Sequence, residues 1–148
     1  MDKYSQTPLN IAAHVGHEGV VKMLLERNDV NPDTADGHGQ TPLSIAARVG
    51  HEGVVKMLLE RNDVNPNTAD NDGKTPLLMA ALGRRKGLVK MLLERWDVNP
   101  NAANRFGKTP LMAAASNRHG VVGEMLLERV SAGSDMTDIL GKTALLEA

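Results

Sequence analysis

Apolar residues in the middle of the chain recur at the spacing of a helix rather than a strand. The first apolar group comprises Leu43, Ile45, Ala46 and Ala47. The second group follows Gly50 and comprises Val54, Val55, Leu58 and Leu59, at i, i+1, i+4 and i+5. Each group forms one apolar stripe at the helical period. The pattern predicts two short helices, the first ending at Gly50 and the second running from about Glu52 to Arg61.

Polar residues mark where these helices start and stop. Thr41 can cap the first helix, and Pro42 suits its first position because the missing N–H would be unpaired there anyway. A run rich in Asn, Asp and Pro (residues 62–73) follows the second helix and predicts turns. We expect a positive φ at the tip of this finger, at Gly73, and at the matching glycines Gly39, Gly107 and Gly141. Ser5 takes the glycine's place in the first copy, which predicts mild strain or a frayed end.

This motif of two helices and a polar finger repeats every 34 residues, beginning at Thr7, Thr41, Thr75 and Thr109, with a shortened copy at Thr143. A fixed period of about 20–50 residues is the signature of a stacked repeat protein. Neither helix reaches the roughly 12–15 residues at which an isolated helix becomes marginally stable, so each must be held by its neighbours. We predict one all-α solenoid over residues 1–148. Its repeats would span approximately 1–40, 41–74, 75–108 and 109–142, with a partial repeat at 143–148. Since neither end has a dedicated polar cap, we expect a segment of a longer array or an engineered chain.

These motifs resemble the ankyrin repeat across essentially the whole chain. The matching pattern is Asp-x-x-Gly-x-Thr-Pro-Leu-x-x-Ala-Ala, then Gly-His-x-x-Val-Val-Lys-x-Leu-Leu, then Asp-Val-Asn. The resemblance implies helix-turn-helix units with β-turn fingers, stacked into a curved solenoid. Near-identical copies are also similar to the arrays of large multidomain intracellular receptors, notably fungal ones. The chain departs from the family at the fourth motif position, where Asn10, Ser44, Leu78 and Met112 replace the usual His.

The first two repeats can be compared directly within this one chain. Between residues 7–34 and 41–68 they differ at three positions, Asn10/Ser44, His14/Arg48 and Asp33/Asn67. The first two positions are four residues apart and share a helix face. In the ankyrin architecture that face lines the concave groove. One interpretation is a groove that varies to suit a partner, and the other is drift at exposed positions that packing tolerates.

The resemblance implies a binding surface made from the groove row and the fingertips. The predicted partner-binding residues are Tyr4, Asn10, His14, His38, Ser44, Arg48, Asp72, Leu78, Leu82, Arg105, Phe106, Met112 and Ser116. An exposed apolar patch is predicted from Leu78, Leu82, Met112, Phe106 and Leu140. Such patches often mark partner sites. Further repeats could instead cover part of the surface, above all at Ile139 and Leu140.

The composition narrows the classes of function. The 148 residues carry a net charge of -1, which gives no case for a nucleic-acid or anionic-membrane partner. There is no cysteine, no signal-peptide pattern, and no stretch near the roughly 18 apolar residues of a membrane span. We therefore expect an intracellular, cytoplasmic monomer.

The third repeat departs from the others at two places. Arg84-Arg85-Lys86 replaces Gly50-His51-Glu52 at the turn between the helices. We interpret it as a solvated turn, with an anion or partner contact or a weak nuclear-import signal as alternatives. Trp96 replaces Asn62 and is either a plug or a contact residue.

The candidate catalytic and metal-binding residues are better explained by structure. His17, His51 and His119 share one repeat position at the start of the second helix, which favours a hydrogen-bonding role. His14 and His17 have no Cys or carboxylate cluster nearby in sequence to complete a zinc site. Four methionines also recur one period apart, which predicts core packing: Met23, Met57, Met91 and Met125. We expect no metal, no cofactor and no enzymatic activity.

The function we expect is binding of another protein through the concave helix face and the fingertips. A preformed curve that presents a row of side chains loses little ordering entropy on association. The alternatives are a structural or regulatory spacer in a larger multidomain protein, or a consensus-like engineered scaffold.

Overall fold

The computed structural model describes residues 5–132, which form eight α-helices and no β-strand. The helices are α1 (Pro8–Val15), α2 (Glu18–Leu25), α3 (Pro42–Val49), α4 (Glu52–Leu59), α5 (Pro76–Leu82), α6 (Lys86–Leu93), α7 (Pro110–Ser116) and α8 (Gly120–Ala132). The odd-numbered helices pack side by side as an inner layer, and the even-numbered helices form an outer layer. The predicted all-α solenoid is confirmed.

The inner helices begin as the sequence predicts. Thr41 Oγ1 accepts a hydrogen bond from the Ser44 backbone N–H at 3.2 Å, and Pro42 occupies the first helical position. The same cap opens the other inner helices, at Thr7, Thr75 and Thr109. This cap satisfies one of the N–H groups that a helix start leaves unpaired.

The ends of the inner helices differ between the two halves of the array. Gly16 and Gly50 end α1 and α3 in the left-handed region, at φ 82° and 98°. Helices α5 and α7 end one residue earlier, and the left-handed residues are then Arg84 and Arg118, at φ 58° and 54°. A left-handed conformation costs a non-glycine residue about 1–2 kcal/mol, so these two turns are less favourable than the glycine ones.

The outer helices are shorter than predicted in three repeats and longer in the fourth. α4 ends at Leu59 because its last turn tightens, with the Arg61 N–H bonded to the Leu58 carbonyl at 3.1 Å. α8 continues to Ala132, since Val130 and Ser131 stand where the first two copies have Asn-Asp and the third has Trp-Asp.

One apolar core runs through all four repeats, and each repeat completes the burial of the next. Ile45 in α3 is 1% exposed, whereas the equivalent Ile11 in α1 is 48% exposed. Predicted core packing of the methionines is confirmed for Met57, Met91 and Met125, which pack against the core. It is wrong for Met23, which is exposed because no described helix lies on that side of α2.

A row of arginines that sequence reasoning missed joins consecutive outer helices. Arg61 makes a two-pronged ion pair with Asp63, at 2.9 and 2.8 Å, and donates to the Leu25 carbonyl of the preceding repeat. Arg95 repeats this arrangement with Asp97, at 3.0 and 2.7 Å. The Arg95 hydrogen bonds hold the pKa of Asp97 below its ordinary value. The side chains of Arg27, Arg61 and Arg95 are 60%, 32% and 17% exposed, so the row becomes more enclosed along the array.

Candidate functional site

Each finger is folded by one polar side chain at its base. Asp70 Oδ1 accepts hydrogen bonds from the backbone N–H groups of Asp72 and Lys74, both at 2.9 Å. Asp36 and Asn104 do the same in the neighbouring fingers. The positive φ predicted at the fingertip is confirmed for Gly39, Gly73 and Gly107, and Gly141 lies outside the described residues. Ser5 has a φ of 57°, which confirms the strain expected there.

The fingers are joined to one another by backbone hydrogen bonds. The Asn71 N–H donates to the His38 carbonyl, and the Arg105 N–H donates to the Asp72 carbonyl, both at 3.0 Å. A Cβ on Gly73 would lie 2.8 Å from the Arg105 nitrogen, so the close approach of the fingers also requires glycine. The row of fingers is therefore a preformed surface.

A cavity of about 510 Å³ lies between two consecutive fingers and the inner helices α3 and α5. We name it the finger groove. It is lined by His38, Gln40, Arg48, Asp70, Asn71, Asp72, Lys74, Met79, Leu82 and Gly83. Its volume falls within the range of about 300–1,000 Å³ that is typical of ligand-binding pockets.

Four of the predicted partner-binding residues line the finger groove: His38, Arg48, Asp72 and Leu82. They come from two fingers and two inner helices, which the chain brings together only by stacking. Their role in binding stays a prediction.

Two further predicted residues, Arg105 and Phe106, lie on the next finger. Arg105 Nη1 is 3.3 Å from Asp72 Oδ1, and its guanidinium lies 4.8 Å from the centre of the exposed Phe106 ring. Cation–π and ion-pair contacts at an exposed site are individually weak. Together they orient an exposed aromatic side chain beside the groove.

The expectation that Asn10, Ser44 and Leu78 lie on the groove surface is wrong, since all three are 0% exposed. The reason is visible at Asn10, whose Nδ2 donates to the carbonyls of Thr34 and Gln40, at 3.2 and 3.4 Å. These two residues flank the next finger, so the finger base covers the first turn of the inner helix. The predicted apolar patch therefore loses Leu78.

The buried polar residues at this position serve the helix start instead of a partner. Thr7 N–H donates to Asn10 Oδ1 at 2.9 Å, while Thr7 Oγ1 caps Asn10 N–H, which forms a reciprocal capping box. Ser44 Oγ donates to the Thr41 carbonyl at 3.0 Å. The difference between Asn10 and Ser44 is thus a change inside the fold, whereas His14 and Arg48 are exposed.

Three further predicted residues are described by the structure but do not line the finger groove. His14 and Ser116 are exposed at the last turns of α1 and α7, and Met112 is partly buried. Tyr4, Ile139 and Leu140 lie outside the described residues.

The recurrent histidines form contacts within the fold. His17 Nδ1 accepts from the Val20 N–H at 3.4 Å at the start of α2. His51 Nε2 donates to the His14 carbonyl of the preceding repeat at 2.9 Å. His119 precedes α8, and its Nδ1 has no hydrogen-bond partner in the described part of the chain. Within residues 5–132 there is no group of three or more His, Cys, Asp or Glu placed to hold a metal ion.

The two departures of the third repeat do not line the cavity. Arg84 Nη2 donates to the Asn117 carbonyl at 2.6 Å, so this arginine joins two repeats instead of being only solvated. Trp96 is exposed on the outer-helix side, which excludes the interpretation as a plug. None of the described helices is long and apolar enough to span a membrane.

Sequence reasoning missed six residues of the finger groove: Gln40, Asp70, Asn71, Lys74, Met79 and Gly83. Gln40 and Lys74 could have been found from the sequence, because each is the last residue of its finger and both occupy the same repeat position. Met79 follows the buried Leu78 and places its side chain at the cavity that Leu78 was expected to line.

Comparison with known proteins agrees with this architecture. A family model for three copies of the ankyrin repeat matches residues 1–70 and 32–104, and a model for the single ankyrin repeat matches residues 106–139. A search of curated proteins finds no match. Ankyrin repeats are generally modules for protein–protein interaction. Because the matches cover most of the chain and the helices stack as that family requires, the protein belongs to the ankyrin repeat family.

Proposed function

We propose that this chain binds another protein through the finger groove and the exposed fingertip at Arg105 and Phe106. The observation that carries the proposal is the cavity of about 510 Å³ itself, which two fingers and two inner helices build together. Arg48 is exposed at this cavity and is not part of the apolar core.

The preformed shape of the site supports binding. The fingers are fixed by hydrogen bonds from their bases and between their backbones. A partner would therefore meet a surface that needs little ordering, which reduces the entropy lost on association. A stack of repeats offers such an extended surface as a matter of architecture.

Affinity capture from cell extract tests the proposal with two matched variants. R48E/F106A reverses the charge of one basic side chain and removes one exposed aromatic ring on the side of the finger groove. K56E/W96A likewise reverses one positive charge and removes one aromatic ring, but on the outer-helix side, where both residues are exposed. We expect proteins captured by the wild type to be lost with R48E/F106A and retained with K56E/W96A.

Other outcomes contradict the proposal. Equal capture by R48E/F106A and wild type would exclude the groove side, and selective loss with K56E/W96A would move the interface to the outer helices. If no protein were captured above the background of bare resin, the alternative of a structural or regulatory spacer would be favoured. Circular dichroism of each variant checks that the fold is retained.

A further inference from the structure

We propose that the partner segment in the finger groove is a peptide that carries an acidic side chain beside a bulky apolar one. This inference rests on the proposed function and names the chemistry of its partner. It follows from comparing the contacts that the basic and the acidic side chains of the groove make within the described residues.

The cations of the groove have no ion-pair partner in the part of the chain that the structure describes. Arg48 and Lys74 both line the cavity, and neither forms a salt bridge within residues 5–132. Arg48 projects from the last turn of α3 and Lys74 from the end of a finger. A carboxylate between them would gain charge-assisted hydrogen bonds that the free protein does not make.

The two acidic residues of the groove already make contacts within the described chain. Asp72 pairs with Arg105 at 3.3 Å, and Asp70 Oδ1 holds two backbone N–H groups of its own finger. These carboxylates therefore have less to offer a basic ligand than Arg48 and Lys74 have to offer an acidic one. Their presence also disfavours nucleic acid, because a run of phosphates would meet Asp70 and Asp72 as well as the cations.

The cavity also offers an apolar contact. Leu82 is partly exposed at the end of α5, and Met79 lies beside it. These flexible aliphatic side chains suit a Leu, Ile, Met or Phe of the partner. An apolar anchor flanked by one ion pair is a common composition for the centre of an interface.

A phage-displayed library of random peptides tests this directly. Peptides of roughly 12 residues reach about 40 Å when extended, enough to cross several repeats. Binders selected on the full chain would be synthesised and titrated by fluorescence polarisation against the wild type, R48Q/K74Q and the control K22Q/K56Q. The control removes the same charge from the exposed outer-helix side.

We expect the selected peptides to share an Asp or Glu near a bulky apolar residue. Their Kd should rise at least about tenfold with R48Q/K74Q and stay within about twofold with K22Q/K56Q. Raising NaCl from about 50 to about 500 mM should also weaken binding.

The failures are distinguishable. Peptides that lose affinity with R48E/F106A but carry no shared acidic residue, or bind R48Q/K74Q undiminished, would overturn the acidic partner and leave the proposed function standing. Peptides that bind R48E/F106A as well as wild type would overturn both. A library that yields no binder also contradicts the inference.

Discussion

The carboxylate of Asp33 accepts a hydrogen bond from the backbone N–H of Asn65 in the next repeat, at 2.9 Å. Its other oxygen is buried with no hydrogen-bond partner in residues 5–132. Asn67, one period later, accepts from the Asn99 N–H and donates from Nδ2 to the Asp97 carbonyl, both at 2.7 Å. The amide therefore makes two bonds between repeats where the carboxylate makes one.

Replacing Asp33 with Asn should stabilise the protein. The new Nδ2 would reach a carbonyl of the next repeat as Asn67 does, and the unpaired buried oxygen would be removed. We expect the free energy of unfolding to rise by about 1 kcal/mol, measured by urea titration with circular dichroism. The reverse change, N67D, should lower it by a similar amount. An unchanged or lower stability of D33N would contradict this reading of the contact.

The benefit of D33N should depend on pH. Burial raises the pKa of Asp33 in the folded protein above its ordinary value. The folded state then binds this proton more tightly than the unfolded state, so the Asp33 contribution to stability falls as pH rises through the interval between the two pKa values. The difference in unfolding free energy between D33N and wild type should be small at acid pH and grow above about pH 4. A difference that shrinks with rising pH would contradict the assignment.

Arg95 and Arg27 occupy the same repeat position but should respond differently to substitution. Arg95 donates to the carbonyls of Leu59 and Arg61 at 3.4 and 3.2 Å, in addition to its ion pair. We expect R95Q to lower the unfolding free energy by about 2 kcal/mol, because it removes both hydrogen bonds to the preceding repeat and leaves the partly buried Asp97 carboxylate without its ion-pair partner. R27Q should have no resolvable effect, since its ion pair with Asp29 is exposed. Equal effects would show that the carbonyl contacts contribute nothing.

Ile45 and Ile11 provide the same comparison for the core. I45A removes a side chain that is 1% exposed and should cost about 2–5 kcal/mol of unfolding free energy. I11A removes one that is 48% exposed and should cost less than about 1 kcal/mol. Urea titrations of the two variants check this, and comparable losses would mean that the side of α1 carrying Ile11 is covered in solution.

The fold could be predicted closely because its signals are local and repeated. Thr41 and Pro42 begin a helix, Gly50 ends it, and Gly73 turns a finger, whatever lies elsewhere in the chain. The candidate site was predicted less well. Arg48 and Leu82 line the groove, whereas Leu78 does not. Helical spacing shows which residues share a face but not how far along that face a neighbouring finger reaches.

The sequence by itself determined the repeat, its two helices, its caps and the need for stacking, since each depends on residues close together in the chain. Only the tertiary structure decided which identical residues are buried and where the cavity lies. Ile11 and Ile45 are the same residue in near-identical copies, and their exposure differs because a helix lies on one side of α3 that α1 lacks among the described residues. Burial and cavities depend on how one repeat packs on the next, and the local sequence of a single repeat does not determine that packing.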